Sequence, residues 1–265
     1  MLHFVALTVL AAVPSSSAPP TSAAVKPKWA LEYAPNACIL SRARSGAAGG
    51  IQIETRPYET EHELKLLLPK TGKGSFFKPG VLSVAETPSR SPRYFTVDES
   101  AKDQDRLLSG TISEAQLQAL AKDAALGVTI AGKLEERVSV TGLGKALVAL
   151  ERCEDDLARR WGTPRQWTTD AQPLSGPAGI IRYEDYPQSL VELDIQGSAR
   201  LLVKIDTDGQ IESCRALETE GPVMFAEVVC SAYKKRMQFT PAKDASGVAV
   251  PSYYVIPKVR FILAG

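Results

Sequence analysis

The chain has little histidine, no excess of either charge, and no apolar run long enough to cross a membrane. It contains two histidines, and 31 basic against 30 acidic residues leave a formal net charge of +1. A nucleic-acid-binding protein normally carries an excess of basic residues, because neutralising phosphates supplies much of its affinity. The balanced charge therefore argues against a nucleic-acid partner. The scarcity of histidine removes the commonest base for nucleophilic catalysis.

The cysteines lack the spacing of a zinc site. Zinc sites use closely spaced pairs such as C-x2-C, whereas Cys38, Cys153, Cys214 and Cys230 lie far apart in the sequence. We therefore expect no metal and no other cofactor. An even number of cysteines in an exported protein favours two disulfides instead, and four cysteines allow three pairings.

An apolar run near the N-terminus predicts export. Leu2 to Val13 is a mostly apolar run, and as a helix it would be roughly 18 Å long, against about 30 Å for the hydrocarbon core of a bilayer. It predicts a signal peptide over residues 1–24, cleaved after Ala24, and a periplasmic protein. No Lys or Arg precedes the run, so an uncleaved segment that anchors the protein in the inner membrane remains the alternative. A membrane contact is expected only in that case.

Residues 27–161 predict an N-terminal domain of mixed α and β structure. Apolar residues alternate over Trp29 to Tyr33 and over Leu64 to Leu68, which is the period-two signature of half-buried strands. The stretch Gly72 to Gly80 contains three glycines and a proline and predicts a loop. The polar stretch Ser89 to Asp105 predicts an exposed segment.

A helix from about Gly144 to Trp161 should end this domain. Its apolar residues recur at three- and four-residue spacing, which places Cys153 on the buried face. Cys38 begins a predicted strand in the same domain. We therefore favour the pairing within domains, Cys38 with Cys153 and Cys214 with Cys230, over the other two.

The rest of the chain predicts a linker and a second domain. Residues 162–179 are rich in proline and glycine, which is typical of a linker. Residues 180–265 then predict a hairpin that turns at Asp208-Gly209, a helix from about Val223 to Met237, and a final strand from Tyr253 to Leu263. A helix on a small antiparallel sheet makes the fold class α+β.

The last third of the chain resembles the TonB C-terminal domain family. The resemblance rests on a spaced series of residues, which are Tyr186-Pro187, Gly197, the strand Leu201 to Ile205, Asp208-Gly209-Gln210-Ile211, Phe239-Thr240-Pro241-Ala242 and Gly247. It implies a periplasmic protein-interaction domain linked to envelope transport.

The resemblance also implies a partner and a place where it binds. Family members that transduce energy accept an extended segment of an outer-membrane transporter beside their sheet, so that main-chain hydrogen bonds give affinity and side-chain pockets give selectivity. The family's contact region corresponds here to two groups of residues. These are Tyr186, Pro187 and Gln188, and on the final strand Val259, Arg260 and Phe261.

Two departures from the family bear on function. An energy transducer has an uncleaved membrane anchor and a proline-rich spacer, whereas this chain has a short apolar run and a globular domain in their place. A membrane-anchored energy transducer is therefore the alternative to a periplasmic interaction protein. Pro257 also falls within the final strand, where it removes a backbone donor, so this part of the strand must be an edge or a bulge.

No group of residues predicts an enzyme. Gly127 to Lys133 has the G-x4-G-K spacing of a phosphate-binding loop, but Leu134 follows where Mg²⁺ needs a Ser or Thr hydroxyl, so no nucleotide is expected. His62 lies in a charged segment and is interpreted as a solvated surface residue. An enzyme built on the N-terminal domain would need a deep pocket lined by titratable groups.

Overall fold

The computed structural model describes residues 28–43, 49–69, 75–84, 87–88, 93–98, 105–130 and 133–263. The predicted signal peptide, residues 1–24, lies outside these residues. We call the described residues up to Trp161 the N-terminal lobe and residues 180–263 the C-terminal lobe. Both combine helices with antiparallel sheet, which confirms the α+β fold class.

An antiparallel sheet forms the N-terminal lobe, and its strand order in the described part is β1-β2-β3-β4-β8-β7-β5-β9-β10, with β6 paired to β5. Its inner face follows the predicted alternation, since Leu64, Leu66 and Leu68 are fully buried. The strands are β1 (Trp29–Tyr33), β2 (Cys38–Arg42), β3 (Gly50–Thr55), β4 (Glu61–Pro69), β5 (Ser75–Val84), β6 (Thr87–Pro88), β7 (Arg93–Asp98), β8 (Asp105–Ser113), β9 (Ala125–Ile130) and β10 (Lys133–Ser139).

A segment predicted as a loop and a segment predicted as exposed both contain strands. The loop expected for Gly72 to Gly80 is wrong from Ser75 onward, because β5 begins there, and β7 crosses the polar stretch Ser89 to Asp105. β9 pairs only with Gly80 to Val84 of β5. Pro79 therefore lies in a part of β5 that pairs with β7 but not with β9. A proline is tolerated at such a position because no donor is needed on the open side.

Two helices pack against this sheet. Ser113 caps α1 (Glu114–Leu120), since its side-chain hydroxyl accepts a hydrogen bond from the backbone N–H of Gln116 at 3.3 Å. The longer helix, α2 (Leu143–Arg160), lies against β1 and β2 with its apolar face buried. A disulfide between Cys38 and Cys153 joins β2 to α2.

The segment 162–179 lies on the C-terminal lobe. The Thr168 and Thr169 amides both donate to the Lys243 carbonyl, at 2.9 and 3.1 Å. Trp167 is buried in the core of that lobe. The short strand β11 (Gln172–Pro173) pairs with β14 (Phe239–Thr240). The predicted linker is therefore held along its length, and the domain boundaries drawn from the sequence stay a prediction.

The C-terminal lobe is a three-stranded antiparallel sheet with one long helix. The sheet order is β13-β12-β17. Gly209 turns the hairpin with a φ of 77°, and a Cβ there would lie 1.9 Å from the Phe239 carbonyl oxygen. The elements after β11 are α3 (Gln188–Val191), β12 (Gly197–Ile205), β13 (Ile211–Glu220), α4 (Met224–Arg236), β14, β15 (Ala242–Lys243), β16 (Ala249–Val250) and β17 (Ser252–Phe261).

One face of this sheet, which we call the helix face, is covered by α4. Phe225, Val229 and Tyr233 of the helix are buried in one apolar cluster with alternate residues of β12. A second disulfide, between Cys214 and Cys230, joins β13 to α4. Both disulfides therefore have the within-domain pairing that the sequence favours. The opposite face of the sheet, which we call the helix-free face, is turned toward the N-terminal lobe.

Candidate functional site

The last strand, β17, is an edge strand of its sheet. It pairs with β12 on one side, and in the described part of the chain no strand pairs with its other side. The unpaired N–H and C=O groups of an edge strand can hydrogen-bond to an added strand. The outer edge of β17 is therefore the candidate interaction site.

A bulge divides β17 in two. Ile256 lies opposite Leu201 while Val259 lies opposite Ala199, so Pro257 and Lys258 share one position on the neighbouring strand. Pro257 thus stands both on an edge strand and in a bulge, as its missing donor requires. We call Ser252–Ile256 the first half and Val259–Phe261 the second half of β17.

The structure brings together the two predicted contact groups. The Phe261 ring stacks on Phe225, with ring centroids 4.6 Å apart. Tyr186 lies edge-on to both rings, 5.9 Å from Phe225 and 5.3 Å from Phe261. The Tyr186 hydroxyl donates to the Ile195 carbonyl at 2.8 Å. The segment that begins α3 therefore lies beside the second half of β17.

The six predicted contact residues differ in exposure. Gln188 and Arg260 are exposed, and the Gln188 amide donates to Glu192 at 3.0 Å. Tyr186, Pro187 and Val259 are half-buried. Phe261 is 3% exposed and belongs to the core, so its side chain is not available to a partner.

The two halves of the β17 edge differ in whether another segment is hydrogen-bonded to them. In the first half, the Val255 amide donates to the Tyr58 carbonyl of the N-terminal lobe at 3.1 Å. No backbone hydrogen bond from another described segment reaches the outer edge of the second half. Within the described residues, the second half is therefore the open part of the edge.

Charged residues surround the contact between the lobes. Arg200 of β12 forms ion pairs with Glu59 and Glu63 of the N-terminal lobe. Arg56 of the N-terminal lobe forms an ion pair with Glu218 of β13. The side chains of both arginines are at least 98% buried. Burial of charge is costly unless the charges are paired, and each arginine has carboxylate partners in both lobes, since Arg56 also pairs with Glu54 and Arg200 also pairs with Glu218.

The pKa values of this network follow its charges. Burial tends to raise the pKa of Glu218, but the positive charges of Arg56, Arg200 and Lys258 outweigh burial and lower it. Lys258 Nζ lies 3.1 Å from Glu218 Oε2. Glu218 therefore stays ionised at neutral pH.

Sequence reasoning missed this network, although one signal for it was present. Arg200 interrupts the run of apolar residues from Ala199 to Val203 in β12. A charged residue within an otherwise apolar strand indicates a paired, buried charge. Its partners could not be named, since Glu59 and Glu63 lie in another lobe.

His62 is buried, so its interpretation as a surface residue is wrong. Its side chain is 2% exposed, and its Nε2 lies 2.7 Å from Glu114 Oε2. Burial alone would lower the pKa of His62, but the carboxylates of Glu114 and Glu59 raise it to about 9. Nearby Glu154 has its pKa raised to about 7, because burial outweighs the opposing influence of the Thr55 side chain and of the charge of His62.

The described residues bear on the metal and nucleotide sites that were considered from the sequence. No cluster of three or more His, Cys, Asp or Glu residues in these ranges could hold a metal ion. The G-x4-G-K segment lies on the antiparallel hairpin of β9 and β10, whereas a phosphate-binding loop joins a strand to a helix. None of the described helices has the length and apolar character needed to span a bilayer.

A protein-family model matches the last part of the chain. Residues 182–263 match the family model described as the Gram-negative bacterial TonB protein C-terminal. The match confirms the resemblance read from the sequence and covers the last third of the chain. This family is one of non-enzymatic protein-interaction domains of the cell envelope. No curated protein sequence matches the chain significantly.

Proposed function

We propose that this is a non-enzymatic periplasmic protein whose C-terminal lobe binds an extended segment of an outer-membrane transporter. The segment adds to the second half of β17 as an extra strand. The protein thereby takes part in transport across the envelope.

One observation carries this proposal: an open backbone edge in the lobe that matches the TonB family. Val259 to Phe261 lies on the edge strand of the sheet, and no other described segment bonds to its outer side. Strand addition obtains its affinity from main-chain hydrogen bonds. It therefore needs such an edge and no catalytic group.

The side chains around this edge suit a peptide ligand. Arg260 and Gln188 are exposed beside it and can bond to polar groups of the partner. Tyr186, Phe225 and Phe261 form a cluster of packed aromatic rings at the second half of β17. A fixed backbone edge reduces the ordering cost of binding, because only the partner segment must become extended.

Site-specific photo-crosslinking in the native envelope tests the proposal. A photoreactive phenylalanine analogue replaces Arg260 in one variant and Arg159 in a control. The Arg159 side chain is 63% exposed, and it lies on α2 of the other lobe. We expect Arg260 to crosslink to an outer-membrane transporter and Arg159 not to do so. Equal crosslinking at both positions, or none at Arg260, contradicts the proposal.

The anchored energy transducer is the second candidate, supported by the same family match. It differs in whether residues 1–24 remain on the mature protein. Mass spectrometry of the N-terminus separates the two: a chain that begins near Val25 supports the periplasmic form, and retention of Met1 supports the anchored form.

A further inference from the structure

The turn between β3 and β4, residues Arg56–Thr60, lies against the helix-free face of the C-terminal sheet. The Tyr58 ring packs 5.3 Å from Trp167 and 5.9 Å from Tyr253, and its hydroxyl donates to the Thr163 carbonyl. Tyr58 has a φ of 68°, which is unfavourable for a residue with a large side chain. The strained conformation persists because the ring packs on Tyr253 of the C-terminal lobe and on Trp167 of the segment 162–179, and the hydroxyl is bonded to Thr163 of the same segment.

This turn occupies part of the β17 edge. The Tyr58 carbonyl accepts the hydrogen bond of the Val255 amide at 3.1 Å. Successive N–H groups of a strand point to opposite sides, and a bond to Tyr58 shows that this one points away from β12. It is therefore one of the groups that an added strand would use. The turn stands where the backbone of an added strand would lie.

Reciprocal charges hold the turn in place. Glu59, one residue after Tyr58, forms an ion pair with Arg200 of the C-terminal lobe. Arg56, two residues before Tyr58, forms an ion pair with Glu218 of the same lobe. Arg56 and Glu59 also lie 3.7 Å apart, and Arg200 Nε lies 3.6 Å from Glu218 Oε2. The two arginines thus alternate with two carboxylates across the contact.

This contact is polar and incompletely bonded. Its apolar centre contains three buried residues of the sheet, Leu202, Leu217 and Val255. Arg56 Nε, Arg200 Nε and Glu59 Oε2 are buried without a hydrogen bond to any described residue, and the last two have only longer ion-pair contacts, the shortest at 3.6 and 3.7 Å. Such atoms weaken the contact, and polar contacts between lobes resemble those of proteins that dissociate.

We propose that the turn Arg56–Thr60 is an internal ligand of the C-terminal sheet that covers the first half of the β17 edge and can be released. With the turn docked, a partner segment pairs only with the second half. With the turn released, the whole edge from Ser252 to Phe261 becomes available. The inference rests on the proposed function for the role of the edge, but the docking itself needs no partner.

Hydrogen exchange at the Val255 amide tests the inference on the purified full chain. Arg200→Gln removes the charge that holds Glu59, so we expect the Val255 amide to exchange at least about tenfold faster than in the wild type. The amides that join β12 to β13 should change less than about twofold. Unchanged exchange at Val255, or an equal increase over the whole C-terminal lobe, overturns the inference.

Two further variants complete the experiment. Lys204→Gln is the matched control, because Lys204 lies on the same strand and pairs with Glu212 of the same lobe, at 2.7 Å. It should leave the Val255 amide unchanged. Glu59→Gln breaks the contact from the other lobe and should reproduce the effect of Arg200→Gln, even if that variant folds poorly. A failure of the proposed function appears instead as an absence of crosslinks at Arg260.

Discussion

The helix face and the helix-free face of the C-terminal sheet are covered in different ways. On the helix face, α4 contributes Phe225, Val229 and Tyr233 to one apolar cluster, and a disulfide fixes the helix to β13. On the helix-free face, three buried apolar residues are surrounded by the paired charges of Arg56, Arg200 and their carboxylates. Apolar burial favours permanent packing, whereas paired charges at a contact favour specificity of docking.

The two faces of the sheet therefore have different roles. The helix face holds the lobe together, because it contains most of the apolar core. The helix-free face sets where the N-terminal lobe sits and how much of the β17 edge it covers. The following predictions disturb one face at a time, beginning with the largest expected effect.

Removal of the central aromatic side chain should disturb the helix face most. Phe225 is fully buried against Phe261 and Tyr186, so Phe225→Ala should lower the free energy of unfolding by about 4 kcal/mol. Denaturant unfolding followed by circular dichroism measures this change. Met224→Ala, at an exposed position of the same helix, should cost less than about 1 kcal/mol. Equal losses would show that α4 does not form the core.

Removal of the disulfide between β13 and α4 should weaken the same face. Replacing both Cys214 and Cys230 with Ala opens a loop with a sequence separation of 16, which corresponds to about 3 kcal/mol of unfolding free energy. Thermal and denaturant unfolding of the double variant would measure the loss. Ser213→Ala, at an exposed neighbouring position, serves as the control. An unchanged stability would mean that α4 is held by packing alone.

The free energy of unfolding should depend on pH through the buried His62. His62 has a folded pKa of about 9 against an ordinary 6.5, so the folded protein keeps a proton that the unfolded chain releases between these values. This proton therefore stabilises the folded state fully below pH 6.5. The stabilisation, about 2 to 3 kcal/mol, is lost as the pH rises to 9. Unfolding free energies at pH 6 and pH 9 measure it. His62→Gln should flatten this dependence, and an unchanged slope in that variant contradicts the assignment.

The smallest expected effect concerns a single hydrogen bond between the lobes. Asn36 Nδ2 donates to the Leu217 carbonyl of β13 at 2.7 Å. Asn36→Ala should lower the unfolding free energy by about 1 kcal/mol. Glu32→Ala, at an exposed position of β1, should have no measurable effect in the same denaturant titration. A loss as large as that of Phe225→Ala would place the helix-free face among the permanent contacts.

Local signals made much of this fold predictable from the sequence. Asp208-Gly209 turns a hairpin as expected, and α2 carries Cys153 on its buried face. Each of these features depends on residues within a few positions of one another. For the same reason, the order of elements in the C-terminal lobe was visible before its packing was known.

Features that depend on distant residues were not predictable in the same way. His62 has charged neighbours in the sequence, but in the fold its side chain is buried and pairs with Glu114 at the start of α1. The strand β5 contains glycine and proline and gains its order from pairing with β7 and β9. The occupant of the first half of β17 comes from a turn about two hundred residues earlier in the chain. No local pattern records such contacts.

The most direct test of the account is a comparison of two crosslinking positions on β17. A photoreactive phenylalanine analogue is placed at Tyr253 in the first half or at Arg260 in the second half of the otherwise unchanged protein, within the native envelope. The account predicts that position 260 captures an outer-membrane transporter, while position 253 captures only residues of its own chain. Capture of the transporter at position 253 to the same extent, or at neither position, would contradict it.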